Sequence, residues 1–236
     1  MIVFWRLFLS LYMADFLLFH KLPALELQNR TRATAIRTGM FLLFAFLLCR
    51  RYLLLEWPFF GVIDLPGWLC ILLFGAFFVC VHQWFNFGGQ MRFGHLLTFV
   101  VKNTFLWLFL FLCTPFLVLY HTGNFFAQPW MIFCVGTVIA TRLLDELITA
   151  IEQDFHASPL PTFDEQWMLM MVRLIFFFIM LLPGVRWLIF FVIWLGTCMY
   201  ARRIRLMDVT HTAFYLGVAG ASLIGLLVRL RLYWMI

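Results

Sequence analysis

The chain has 236 residues and a mass of 28.0 kDa; 65% of it is hydrophobic, only 12% is charged, and its mean hydropathy is +0.98. Soluble domains run at about 45–50% apolar and about 25% charged, so a water-soluble globule, a secreted disulfide scaffold and a disordered tail are all excluded. The formal net charge of +6 needs no nucleic acid, because arginines at membrane edges meet anionic headgroups and no basic run alternates with aromatics.

A bilayer core of about 30 Å asks for about 20 apolar residues per helix, and backbone in lipid must be helical or form a closed barrel. The long apolar runs lack the alternation of a barrel. In chain order they are Ile2 to Phe19, Ala35 to Cys49, Pro66 to His82, His95 to Tyr120, Pro129 to Leu144, Trp167 to Leu182, Val185 to Ala201 and Ala213 to Val228. The expected fold is therefore all-α, a polytopic transmembrane helical bundle of about eight spans (six to eight), with residues 1–236 as one integral membrane domain. The first run carries Arg6 and Asp15 and has no A-x-A cleavage site, so it reads as a retained helix rather than a signal peptide. The second is short and is entered by Arg37. The sixth and seventh meet at Pro183-Gly184, which reads as a tight helical hairpin.

On eight spans, the loops after spans one, three, five and seven share a side. That side collects Lys21, Arg30, Arg32, Arg37, Arg92, Arg142, Arg202, Arg203 and Arg205. The other side has Arg6, Arg50, Arg51, Arg186, Arg229 and Arg231. The bias places the first side in the cytoplasm, with both termini outside, and the expected location is the bacterial inner membrane. The six cysteines, at 49, 70, 80, 113, 134 and 198, form no CxxC pair and read as small packing residues.

Charges within spans are expensive and are functional candidates by default. Asp15, Lys102 and Arg173 fall at similar depth on the same side, where a carboxylate and two cations could pair across a bundle. They read either as a structural or snorkelling set or as the lining of a substrate, proton or ion pathway. The histidines lie at span ends or in loops, which does not suit a haem, and no cofactor is expected beyond structural lipids.

From Leu143 to Val172 there is no Lys or Arg, while Asp145, Glu146, Glu152, Asp154, Asp164 and Glu165 supply six carboxylates. Apolar residues at helical spacing over 143–152 predict that span five continues as an amphipathic helix; Ser158-Pro159-Leu160-Pro161 then breaks it. The stretch at about 145–166 is expected to be an acidic extramembrane loop, either solvated or docking a partner. Asp154, His156, Asp164 and Glu165 are the residues that could hold a divalent ion weakly. In the last span Gly217, Ala221 and Gly225 form a small-xxx-small ladder, which lets helix backbones approach closely in lipid. No G-x-S-x-G, H-E-x-x-H or P-loop is present, and no catalytic residue is assigned.

The stretch Ala14-Asp15-Phe16-Leu17-Leu18, the pair Val81-His82, the Lys102-Asn103 position and the block from Met171-Val172-Arg173 through Pro183-Gly184 to Arg202 resemble the bacterial domain-of-unknown-function 3307 family of polytopic membrane proteins. Lys102-Asn103 stands where that family has Asp-Gln, and Val172 stands where it has Glu before Arg. The resemblance implies a multi-pass bacterial membrane protein of unestablished activity.

The expected function is that of a non-catalytic structural or accessory subunit of a larger membrane complex, with lipids and other membrane subunits as partners. The alternatives are a small transporter or channel using Asp15, Lys102 and Arg173, and a membrane-embedded enzyme using His82, Asp154 or His156.

Overall fold

In the computed structural model, residues 2–17, 30–60, 62–85, 94–115, 129–155, 163–204 and 210–234 are described. The described residues are 87% helical and divide into two compact units, Met1–Met131 and Ile132–Ile236. The sequence, read as one helical domain, carries no sign of that division.

In the first unit, α1 (Ile2–Leu17) packs on α2 (Arg30–Leu48), α2 on α3 (Gly67–Trp84), α3 on α4 (His95–Cys113), and α4 returns to α1. Aromatic side chains fill the ring. Phe41 of α2 lies 5.0 Å from Phe74 of α3, and Phe77 stacks on Phe109 of α4 at 3.9 Å. Helix α4 stops at Cys113 instead of running on toward Tyr120, because Thr114 precedes Pro115 and is held extended, as the ring of a following proline requires. Residues 116–128 lie outside the described set.

A feature without a sequence forecast joins α2 to α3. After a 3₁₀ turn (Arg50–Tyr52), β1 (Glu56–Phe59) pairs antiparallel with β2 (Ile63–Pro66), Trp57 facing Leu65. Each strand has four residues, and two prolines limit the ladder. The hairpin is held from outside its own ladder. Trp57 is buried and donates its indole N–H to Tyr52 O at 3.0 Å, and Phe60, at φ 54, donates its backbone N–H to Leu112 O at 3.1 Å. Gly67 must be glycine here, since a Cβ would come within 2.6 Å of the Trp57 ring and 2.7 Å of Tyr52 O.

In the second unit, α5 (Pro129–Val138) passes through a π-helical turn (Ile139–Leu143) into the amphipathic α6 (Leu144–Phe155). Helix α7 (Phe163–Met180) then turns into α8 (Arg186–Arg203), and α9 (His211–Trp234) completes the bundle. The Pro183-Gly184 hairpin is present: Leu181 and Leu182 close the end of α7 on Phe178 O and Ile179 O, and Gly184 takes φ +66. The glycine contacts give helix directions. On α9, Gly217 meets Arg173 and Gly225 meets Met180, so α9 runs parallel to α7. Gly220 meets Leu144 and Gly136 meets Val228, so α9 runs antiparallel to the α5–α6 rod.

Each of the eight apolar runs contains a helix, but eight spans are not reached. Four helices among the described residues are long and apolar enough to cross a membrane: Thr31–Leu48, Gly67–Trp84, His95–Cys113 and His211–Tyr233. The apolar part of α1, Ile2–Ala14, is shorter. The rest fail on charge or length. Helix α7 holds Asp164, Glu165 and Arg173, α8 holds Arg186, Arg202 and Arg203, and α5 has ten residues before its π turn.

Candidate functional site

Among the described residues, the most concentrated buried charge lies in the second unit. Arg173, on α7, is 1% exposed, and its Nη1 donates to Asp145 Oδ1 at 2.7 Å. Asp145 is the second residue of α6. Arg142, in the π turn, places Nη1 3.9 Å from Asp145 Oδ2 and Nε 3.8 Å from Glu146 Oε1. Two cations and two carboxylates thus close on each other, which is what keeps charges tolerable away from water.

Local geometry makes the cluster. Leu144 N–H donates to Ile139 O, a five-residue closure, and the inserted residue rotates everything after it by about 100° relative to a continuous α-helix. That rotation aims Asp145 at α7 while Arg142 stays beside it. Thr141, fully buried in the turn, donates its hydroxyl back to Thr137 O of α5 at 2.7 Å. Space for the guanidinium comes from α9: a Cβ at Gly217 would come within 2.9 Å of Arg173 Nε.

A second polar link sits near the start of α9. Glu152, buried on α6, accepts hydrogen bonds from the hydroxyls of Thr210 and Thr212, and Thr210 Oγ1 also accepts the Ala213 N–H at 3.3 Å as the helix cap. Beside it, Arg202 lies 2.9 Å from His211 Nδ1 and stacks over Phe214 at 4.8 Å. At the opposite end of the bundle, Arg229 donates to Gly184 O at 2.9 Å.

The first unit has its own buried polar set. Trp107 Nε1 donates to Tyr12 Oη at 2.9 Å, Tyr12 donates to Asn103 Oδ1 at 2.9 Å, and Asn103 Nδ2 donates to Phe99 O at 3.0 Å. These bonds pin α1 to α4. Arg6 donates to Leu48 O at 2.6 Å and lies over the Tyr52 ring, capping the C-terminal end of α2. His82 is buried against Phe78.

The residues singled out from sequence are distributed as follows. Arg173 pairs with Asp145 of its own unit; Lys102 is half-buried on α4, and Asp15 lies in α1 with its side chain outside the described set. Gly217 and Gly225 face α7, and Ala221 between them is fully buried. The acidic stretch is helical over Leu144–Phe155 and again from Phe163. Asp154 is exposed and Glu165 half-buried, while His156 and the side chain of Asp164 lie outside the described set. No group of three or more His, Cys, Asp or Glu side chains that could hold a metal ion occurs among the described residues.

Sequence reasoning passed over Asp145 as the partner of Arg173. The i,i+3 and i,i+4 spacing of Arg142 with Asp145 and Glu146 was readable; the pairing across to α7 depends on the π turn. Comparison with protein families, curated proteins and solved structures finds no match. The resemblance to the domain-of-unknown-function 3307 family therefore stands on its short motifs alone.

Proposed function

We propose that the chain is a multi-pass protein of the bacterial inner membrane that serves as a non-catalytic accessory subunit of a larger membrane assembly. The observation that supports this reading is α8. Of its eighteen residues only Cys198 is buried, while Ile189, Phe190, Val192 and Ile193 are all more than half exposed. An apolar helix left exposed among the described residues is a face for lipid or for another subunit. The shorter and more charged helices α1, α7 and α8 cross the membrane in this reading, α1 packed on α2 and α4 in the first unit, and α7 and α8 packed on each other in the second.

The test is purification in mild detergent, followed by photo-crosslinking from a reactive residue at Ile193. A single partner species, stoichiometric and crosslinked through α8, is the expected result. A monomer or homo-oligomer with lipid adducts alone refutes the accessory role.

A second reading, a small transporter or channel, draws on the burial of Arg173 with Asp145, since intramembrane ionisable pairs mark ion and proton paths. It also requires Asp15 and Lys102 to line the path. Flux through proteoliposomes that is unchanged in Asp15→Asn and Asp145→Asn variants sinks it.

A further inference from the structure

We infer that the end of the second unit formed by the α7–α8 turn and the last turns of α9 binds the phosphodiester headgroup of an anionic membrane lipid. The inference rests on the membrane reading above and names a ligand for one edge of the bundle.

The site is built around Arg229. Its Nη2 donates to Gly184 O at 2.9 Å, and its guanidinium lies 5.5 Å from the ring of Trp187 and 5.5 Å from that of Tyr233. Gly184 presents its carbonyl from a left-handed turn, φ +66. Carbonyl and two rings fix the plane of the fork while occupying one of its five donors, and a planar fork matches a phosphate bidentately. Arg186, exposed, stands two residues beyond Gly184 in the first turn of α8. Val185, the residue before that turn, makes no side-chain cap, so the orphan N–H groups and the positive end of the helix dipole add to the same positive field.

The charge balance calls for an anion. No Asp or Glu occurs between Glu165 and Asp208, and none follows Asp208. Because α9 runs parallel to α7 and antiparallel to α5–α6, the described carboxylates Asp145, Glu146, Glu152, Asp154 and Glu165 fall toward the other end of the unit, leaving Arg186 and Arg229 at this one. Exposed Leu223, Leu227 and Leu230 continue from Arg229 along α9. That apolar bed is what an acyl chain uses and a free phosphate does not, and aromatic rings beside arginine suit the headgroup level.

The full chain, purified in detergent and titrated with phosphatidylglycerol or phosphatidylcholine, reports retained lipid by native mass spectrometry, and flotation with vesicles of each lipid reports membrane association. Phosphatidylglycerol is retained over phosphatidylcholine. Arg186→Gln, on an exposed side chain that the fold does not need, lowers that retention about fivefold; Arg229→Gln does the same, and Arg229→Lys, which keeps the charge and loses the plane, falls between. Arg203→Gln, at the far end of α8, changes nothing. Equal retention of the two lipids, or an Arg186→Gln variant that matches the unsubstituted protein, overturns the inference. Displacement of phosphatidylglycerol by millimolar inorganic phosphate makes this a free-phosphate site and overturns the lipid assignment. Failure to float with either vesicle overturns the membrane reading itself.

Discussion

Removing the carboxylate of Asp145 strands a guanidinium that is 1% exposed. At 2.7 Å and an effective dielectric of about 20, the Arg173–Asp145 attraction is worth about 6 kcal/mol; the 3.9 Å contact to Arg142 is worth about 4 kcal/mol. Most of that offsets a desolvation cost of several kcal/mol per ion, so the pair adds little net stability, yet breaking it from one side costs about 3–5 kcal/mol. Asp145→Ala is expected to show that full cost. Arg173→Met costs less, because Asp145 keeps Arg142. The double variant Asp145→Ala/Arg173→Met recovers at least about 2 kcal/mol of the summed single losses, since no unpaired guanidinium remains. Equilibrium unfolding in mixed micelles, followed by the fluorescence of Trp167, Trp187 and Trp194 in the same unit, measures all three. An Asp145→Ala loss below about 1 kcal/mol, or strict additivity in the double variant, refutes the reasoning.

Other substitutions probe separate contacts by the same assay. Tyr12→Phe removes two hydrogen bonds between α1 and α4 and leaves Asn103 Oδ1 without its Tyr12 donor; a loss of about 1–2 kcal/mol is expected, and an unchanged midpoint would show that the network is idle. Gly225→Ala pushes a methyl to within 2.7 Å of Met180 Cβ and 2.9 Å of the Phe177 carbonyl, costing about 1–3 kcal/mol. Gly39→Ala meets nothing within 4 Å and gains up to about 1 kcal/mol of helix propensity; the pair fails as an argument if both shift stability in one direction. Thr210→Ala removes the cap of α9 and a hydroxyl on Glu152, for about 1–2 kcal/mol, while Thr212→Ala, which caps nothing, costs less.

Helices were readable because hydropathy sets them directly: apolar runs bounded by Pro66, Pro129 and Pro183-Gly184 became helices at nearly those limits. The ladder Gly217, Ala221, Gly225 was readable for the same reason, being a local period. What could not be read was pairing between elements. Depth along the chain grouped Arg173 with Asp15 and Lys102, but a partner is chosen by which helices touch, and α7 touches the α5–α6 rod. The π turn that turns Asp145 toward Arg173 has no composition of its own, since Ile139-Ala140-Thr141-Arg142-Leu143 reads as ordinary helix. The hairpin at 56–66 was equally silent. Its strands are too short for an alternation to show, and Trp57 is placed by Tyr52 O and by the absence of a side chain at Gly67.

The parallel run of α7 and α9 imposes an order on biosynthesis. A parallel pair cannot be adjacent in the chain, so α8 must be made and carried back before α9 can meet α7. Arg173 therefore leaves the ribosome with Asp145 already synthesised 28 residues earlier, and its charge can be neutralised at once. The glycine face that encloses it comes last. A nascent chain halted after α8 lacks the glycine face of α9, and the wall around the paired arginine is complete only when Gly217 arrives.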